Sequence, residues 1–234
     1  MVCMNDNPKH VAFIFDGNRR WARAKGMPHW EGHRVGFKKV EDLLKWSKDL
    51  GIKEISMYCF SLQNFDRPKE EVEFLMDMFE KVAKDSLKNK DIHQNKVRVR
   101  FIGRFDMLPE RVRIPAMKLM DSTKDYDQYF VNFCMAYGGR EEIVDGINLI
   151  INDVKQGKID KVDEESFKSY LQLKEYPDLV IRTSGEHRTS NFLPWQTTYS
   201  EWFFLEKHWP DFSKEDLARI IEEFKEKRQR RFGK

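Results

Sequence analysis

With 234 residues, 40% of them hydrophobic and 35% charged, the chain is long enough to bury a sizeable core and too apolar to stay disordered. Its 42 lysines and arginines against 39 acids leave a formal net charge of +3, which argues against a general nucleic-acid binder, a class that needs a clearly basic domain. Residues 1–10 lack the apolar stretch of a signal peptide, no run approaches the roughly 18 apolar residues of a spanning helix, and Cys3, Cys59 and Cys134 have no metal-ligand spacing; a cytoplasmic protein with reduced core thiols is expected, free to touch a membrane surface.

Strand-length apolar runs alternate with stretches of helical period. Residues 11–15 form a continuous apolar run closed by Asp16-Gly17, which predicts a buried strand and a turn. Over 35–50, Phe37, Val40, Leu43, Leu44 and Trp46 keep near-helical spacing, and Gly51 stops that helix. Residues 55–60 predict a second strand. Pro68 opens a helix to residue 87 in which Val72, Leu75, Met76, Phe79 and Val82 recur at threes and fours. Phe74 and Met78 widen its apolar face, either for deep burial or because helix and sheet enclose a channel for a hydrocarbon tail. Residues 97–102 predict a third strand, 109–120 a weaker helix, 129–136 a fourth strand ended by Gly138-Gly139, and 141–154 another helix. Short strands are expected over 179–181 and 202–205, then a last helix from the N-cap Ser213 to about residue 230. The expected fold class is α/β: one domain over 1–234, with about six mainly parallel strands, right-handed crossovers and helices on both faces.

In open sheets of this kind ligands sit beyond the carboxyl ends of the strands. The segments found there are Asp16 to Trp21, Ser61 to Pro68, Gly103-Arg104, Tyr137 to Arg140 and Arg182 to Asn191. Nearly every one carries an arginine beside Gly, Ser or Asn. Glycine admits close backbone approach, helix N-termini offer free N–H groups, and arginine grips phosphate bidentately. Each segment alone reads as an ordinary turn or a solvated charge. Their convergence on one rim predicts a polyanion site, because crowded arginines repel unless anions neutralise them. Asp16 and Glu201 then stand out as acids that a bridging cation such as Mg²⁺ would explain, with an exposed strand-end acid the alternative for Glu201. Neither His33 nor His187 has a partner at zinc-binding spacing, and no Gly-x-Gly-x-x-Gly or Gly-Lys-Ser/Thr phosphate loop is present.

His10 to Ala22, followed by Gly32-His33, closely resembles the first signature of the cis-prenyltransferases. Phe60-Ser61 through Asn64 with Arg67-Pro68, Tyr137 to Arg140, Asp178 to Arg188 with Ser190 to Leu193, Trp209 to Phe212, and Arg231-Phe232-Gly233 resemble the others in order, so the likeness spans almost the whole chain. The resemblance implies an enzyme that adds isopentenyl diphosphate units to an allylic prenyl diphosphate, releasing pyrophosphate and making a polyprenyl diphosphate. It also implies Mg²⁺ as cofactor, a hydrophobic tunnel between sheet and helices, and a homodimer.

Residue by residue, the likeness makes Asp16 the magnesium-binding aspartate at the allylic diphosphate, in a loop with Gly17, Asn18, Arg19, Arg20 and Trp21. His29 and His33 belong to the same substrate. Arg182, Arg188 and Ser190 resemble the isopentenyl diphosphate group, and Glu201 the second acid near the metal. Ser61, Asn64 and Arg67 lie in the mobile loop that assists closure; Ser61 and Asn64 join Asp16 and Asn18 as catalytic candidates. Arg231 and Gly233 belong to a C-terminal motif that a partner subunit inserts into the isopentenyl site. Three positions depart from common patterns: His29 stands where many members have arginine, Arg19 replaces the glycine of bacterial members, and Phe65 replaces a frequent tryptophan. Phe101, Tyr129, Phe133 and Met135 are bulky for a channel wall and would limit product length. The proton acceptor is left open among Asn18, Ser61 and a diphosphate oxygen. The alternative function is a non-catalytic or regulatory subunit, but such partners lose the aspartate and arginine set that is present here. The basic stretch 225–231 reads as a solvated helix face, so no nucleic acid is expected.

Overall fold

Both faces of β1 (His10–Ile14) are buried along its whole length, which is why its sequence is a continuous apolar run rather than an alternating one. Val11 and Phe13 enter the core on one side of the sheet, Ala12 and Ile14 on the other. The computed structural model describes residues 7–231, with side chains as far as Lys227. Around β1 lie β2 (Glu54–Ser61), β3 (Val97–Ile102), β4 (Tyr129–Tyr137), β5 (Leu179–Thr183) and β6 (Glu201–Leu205), in one sheet of order β3-β4-β2-β1-β5-β6. Every neighbouring pair is parallel.

One face is covered by α2 (His29–Asp49) and α8 (Lys214–Arg231), through Leu43, Leu217, Ile220 and Phe224. Next to them α3 (Lys69–Leu87) and α5 (Glu110–Thr123) pack Leu75, Phe79 and Val112 against Phe60 and Met135. On the opposite face the cover is mostly loop, carrying Leu173, Phe192 and Leu193. There α6 (Gly139–Lys155) is anchored by the buried Glu142, which accepts from the Tyr137 hydroxyl at 2.6 Å, the Gln172 N–H at 2.9 Å and Gln196 at 3.1 Å. A buried carboxylate with that many donors is satisfied without a counter-ion. Short helices α4 (Lys90–Gln94) and α7 (Glu164–Lys168) complete the chain.

Two features differ from the periodicity reading. The turn after β1 leads at once into α1 (Asn18–Ala24), and α2 begins at His29 rather than near residue 35. The first turns of α2 were hidden because glycine, not an apolar stripe, makes their contact. A Cβ on Gly32 would stand 1.9 Å from the Asn18 carbonyl oxygen, and one on Gly36 2.3 Å from Asn18 Oδ1. Only bare backbone lets α1 and α2 approach this closely. Between β5 and β6 there is no helix. Residues 184–200 run as turns, with Ser184, Ser190, Asn191 and Leu193 all at positive φ, a conformation that costs non-glycine residues energy and is held by the surrounding structure.

Candidate active site

The chain runs from β1 to one side of the sheet and returns to β5 on the other, so the strand order reverses between β1 and β5. A crevice opens at such a reversal, beyond the carboxyl ends of the strands. Asp16, two residues past β1, and Arg182, within β5, meet there: Arg182 Nη2 donates to Asp16 Oδ2 at 2.9 Å. The Thr183 hydroxyl locks the two strand ends, accepting from the Asp16 N–H at 3.0 Å and donating to the Asp16 carbonyl at 2.7 Å. The Arg182 side chain is only 4% exposed, and its other nitrogen donates to Ser190 Oγ at 2.8 Å and to the Arg188 carbonyl. The strained backbone of 184–193 therefore wraps around a buried guanidinium. Burial pushes the Asp16 carboxyl up, but its bonds to Arg182 and the charge of Arg20 outweigh this and hold it below its ordinary value. It is a carboxylate at neutral pH.

Arg20 reaches Asp16 Oδ1 at 3.2 Å and Glu186 at 2.9 Å, and Arg188 also pairs with Glu186. Gly17, at φ +98, gives Asp16 its N–H at 2.7 Å; a Cβ there would meet Ser184 Oγ and His208 Nδ1, both at 2.6 Å. A second charge centre stands beside the first. Glu71, in the first turn of α3 and 1% exposed, is approached by Arg67 at 3.1 Å, Arg19 at 3.5 Å, His33 at 3.5 Å and His29 at 3.9 Å. Burial, reinforced by Arg67, lowers the His33 imidazole to about 4, so it is neutral at physiological pH. Five arginines thus share the three carboxylates Asp16, Glu186 and Glu71, an excess of cation that an incoming polyanion satisfies.

Both centres border one cavity of about 1110 Å³ running between the sheet and the α2–α3 layer. At its polar end stand Asp16, Asn18, Ser61, Asn64, Arg67 and Arg182. Beyond them the wall is apolar, with Phe37, Leu44, Leu75, Phe79, Phe101 and Phe133. The four bulky residues Phe101, Tyr129, Phe133 and Met135 all line it. On α3, however, the wall is made by Leu75, Phe79, Val82 and Ala83; Phe74 and Met78 are half-buried elsewhere. The wide apolar face of α3 serves two contacts, the cavity on one side and α5 on the other.

The structure brings most of the candidate residues together, and separates others. Arg188 and Ser190 join Arg182; Ser61 and Asn64 sit at the mouth, where Asn64 Oδ1 accepts from the Ser61 N–H at 3.1 Å and closes the 3₁₀ turn Leu62–Asp66. Trp21 does not face the cavity. It is buried, with its indole donating to Asp211 at 2.7 Å, and so fixes α1 to the Trp209–Asp211 turn. Glu201 pairs with Leu179 at the amino end of the sheet, whereas Arg182 pairs with Phe204 at the carboxyl end. In a parallel sheet those are opposite rims, so Glu201 does not join Asp16 within one chain. Gly233 lies outside the described residues, as does the side chain of Arg231. Sequence reasoning missed Glu71 and Tyr58; the latter stacks on Phe192 and donates to the Ser190 carbonyl at 3.2 Å. Glu71 had one legible signal, its place four residues after Arg67 beside the apolar stripe of a helix.

Residues 14–233 match a family model described as putative undecaprenyl diphosphate synthase. The chain belongs to the undecaprenyl diphosphate synthase family. It is 49% identical over 231 residues to a tritrans,polycis-undecaprenyl-diphosphate synthase (geranylgeranyl-diphosphate specific) of Thermococcus kodakarensis, covering 97% of this chain and 87% of that one. A synthase of the same name from Methanopyrus kandleri is 48% identical, with 97% and 85% covered. An isoprenyl transferase of Thermotoga maritima is 46% identical, with 97% of both chains covered. Among solved structures, lavandulyl diphosphate synthase from Lavandula x intermedia, in complex with dimethylallyl diphosphate, superposes with a TM-score of 0.90 at 33% identity, covering 94% and 96%. As a cis-prenyltransferase of this family, the chain is a polyprenyl diphosphate synthase.

Proposed function

We propose that this prenyltransferase extends an allylic diphosphate with isopentenyl diphosphate, and that geranylgeranyl diphosphate is the first primer to try, since that specificity is in the names of two similar archaeal synthases. The observation that carries the reading is the pair of cation centres flanking Asp16 at the mouth of a single apolar cavity. One diphosphate fits the centre of Arg19, Arg67 and the histidines, with its hydrocarbon in the cavity; the other fits Arg182, Arg188 and Ser190.

The π electrons of isopentenyl diphosphate form a bond to C1 of the primer as the C1–O bond breaks, and that bonding pair leaves with pyrophosphate. Loss of a proton from C2 of the isopentenyl unit restores a double bond. The chain's part is to fix the two reactants in line and to meet the charge that grows on the leaving group. Glu71 neutralises the allylic-side cations until a diphosphate displaces it, which keeps them ordered without a substrate.

A divalent ion fits Asp16. Among the described residues no three His, Cys, Asp or Glu side chains gather to hold a metal, so the ion would take one carboxylate and complete its shell with diphosphate oxygens and water, the coordination Mg²⁺ favours. Bound there, it would supply charge neutralisation to the departing diphosphate. The partner is a second copy of this chain. Val144, Ile147, Ile151 and Val154 form one exposed stripe on α6, an apolar face that a monomer would leave in water. No helix among the described residues is long and apolar enough to cross a membrane; contact with lipid would be peripheral, to hand over a hydrocarbon product.

Incubation with labelled isopentenyl diphosphate, geranylgeranyl diphosphate and Mg²⁺ tests the reading. Extended diphosphates are expected, lost with EDTA and reduced at least about a hundredfold in Arg182→Ala. No extension with any primer would overturn it.

A further inference from the structure

Beside the ends of β1 and β5 a third strand end enters the crevice, that of β6, and it holds the other two. Residues 207–209 bond to them in succession. The Lys207 carbonyl accepts from the Ser184 N–H at 2.9 Å, His208 Nδ1 and the Ser184 hydroxyl share a hydrogen bond of 2.8 Å, and the Trp209 N–H donates to the Asp16 carbonyl at 3.0 Å. Trp209 is itself a fixed point. It is 1% exposed, its indole donates to the Gly36 carbonyl at 2.9 Å, and its ring stacks on Phe15 at 4.0 Å. The segment is thus anchored in the core while it grips the turns after β1 and β5.

Ser184 needs that support. It is buried, and its φ of +83 is a conformation that glycine takes freely and a residue with a Cβ does not. The chain places glycine at the neighbouring positive-φ positions, Gly17 at +98 and Gly185 at +70. Serine at 184 is accounted for by its hydroxyl, which His208 holds. Two consequences reach the site. The Ser184 carbonyl, aimed by that backbone conformation, accepts from Arg20 Nη1 at 3.1 Å, while Arg20 Nη2 holds Asp16 Oδ1 at 3.2 Å. Gly17, for its part, rests on the bond itself. A Cβ there would lie 2.6 Å from both Ser184 Oγ and His208 Nδ1, so the pair is the floor under the turn whose N–H donates to Asp16 Oδ1 at 2.7 Å.

We infer that His208 is a positioning residue of the condensation: its bond to the Ser184 hydroxyl holds Ser184 in the left-handed conformation, and Ser184 in turn aims Arg20 and the Gly17 turn so that the Asp16 carboxylate faces the cavity mouth. Neither His208 nor Ser184 lines the cavity, so both act through their neighbours. Without the bond, Ser184 relaxes towards negative φ, its carbonyl turns from Arg20, and Asp16 loses its aim while the apolar wall keeps its shape. The loss falls on turnover and not on primer binding, because Asp16 and Arg20 serve the charge that grows as pyrophosphate leaves. The inference rests on the proposed role of Asp16 in that reaction.

Calorimetric titration with an unreactive thio analogue of geranylgeranyl diphosphate counts the competent sites, so that kcat is read per site. His208→Leu is expected to lower kcat at least about tenfold, with the primer KM and the affinity for the analogue within about twofold of wild type. His208→Asn, which sets an amide atom where Nδ1 stands, is expected to restore most of the rate; His208→Gln, whose amide lies one carbon farther out, is not. The deciding measurement is a double-mutant cycle with Ser184→Gly, since glycine takes a φ of +83 without help. In that background His208→Leu is expected to cost less than about twofold in kcat. An equal loss in both backgrounds, or Leu and Gln variants as active per site as the Asn variant, would overturn the inference. Should His208→Leu alone fail to fold, the Ser184→Gly background decides: turnover kept there supports the inference and turnover lost overturns it. Asp16→Ala separates the inference from the reading beneath it. Wild-type turnover in that variant would remove the role of Asp16, whereas lost turnover there with no coupling in the cycle would remove only the part of His208 and Ser184.

Discussion

Glu71 shows how much one side chain settles. Its carboxylate is 1% exposed and sits among Arg19, Arg67, His29 and His33, the groups assigned to the allylic diphosphate. A carboxylate in that position competes with the substrate for the same cations. Glu71→Gln is therefore expected to lower the KM for the allylic substrate by about threefold, the scale of a partly exposed ion pair, while lowering Tm; a role in folding alone would lower Tm and the amount of active enzyme and leave KM unchanged. Steady-state kinetics against the primer and a thermal melt decide between them. Two histidines make stability depend on pH. Burial, with Arg100 adding to it, lowers His10 to about 3, and burial with Arg67 lowers His33 to about 4, from 6.5 in both cases. Below pH 6.5 the unfolded chain takes up protons that the folded chain refuses, so stability falls as pH drops from 6.5 towards 4, by at most about 1.4 kcal/mol per pH unit for each group. Urea unfolding at pH 7, 6 and 5 measures the slope, and His33→Gln is expected to remove part of it.

Helices and strands were legible where their contacts are apolar and periodic. The β1 run, the α3 stripe and the alternation of strand with helix all follow from side chains that must leave water. The start of α2 was not legible, because Gly32 and Gly36 meet Asn18 through backbone and leave no apolar mark. That contact is testable. Gly36→Ala puts a Cβ 2.3 Å from Asn18 Oδ1 and 2.9 Å from Trp209 Cδ1, and overpacking of this kind costs about 1–3 kcal/mol. A lower denaturation midpoint is expected, together with a loss of activity larger than the loss of folded protein, because Asn18 stands at the cavity mouth. The α3 stripe was right in kind but not in detail. Phe74 and Met78 widen the apolar face, a width that deep burial or a channel would equally explain; they are half-buried away from the cavity, and the orientation of the helix turns Leu75 and Phe79 to it. Periodicity gives a face its width and leaves open which neighbour each edge will meet.

For the assembled molecule, the apolar stripe Val144, Ile147, Ile151 and Val154 makes a prediction of its own. Ile147→Glu with Ile151→Glu is expected to convert a dimer to a monomer in light scattering, with the fold intact by circular dichroism; a wild type that is already monomeric would refute the second copy as partner. The amino-acid order alone was enough for the α/β class, the strand tips and the arginines upon them, since burial period and turn chemistry are local. It was enough, too, for the resemblance that named Asp16 and Arg182. Strand order and register were left to the folded chain. They put Arg182 on Asp16 at 2.9 Å and Glu201 at the other rim of the sheet, and they turned Trp21 inward to Asp211. These outcomes depend on which distant segments pair, and that is decided by the packing of the whole core, not by any stretch of residues within it.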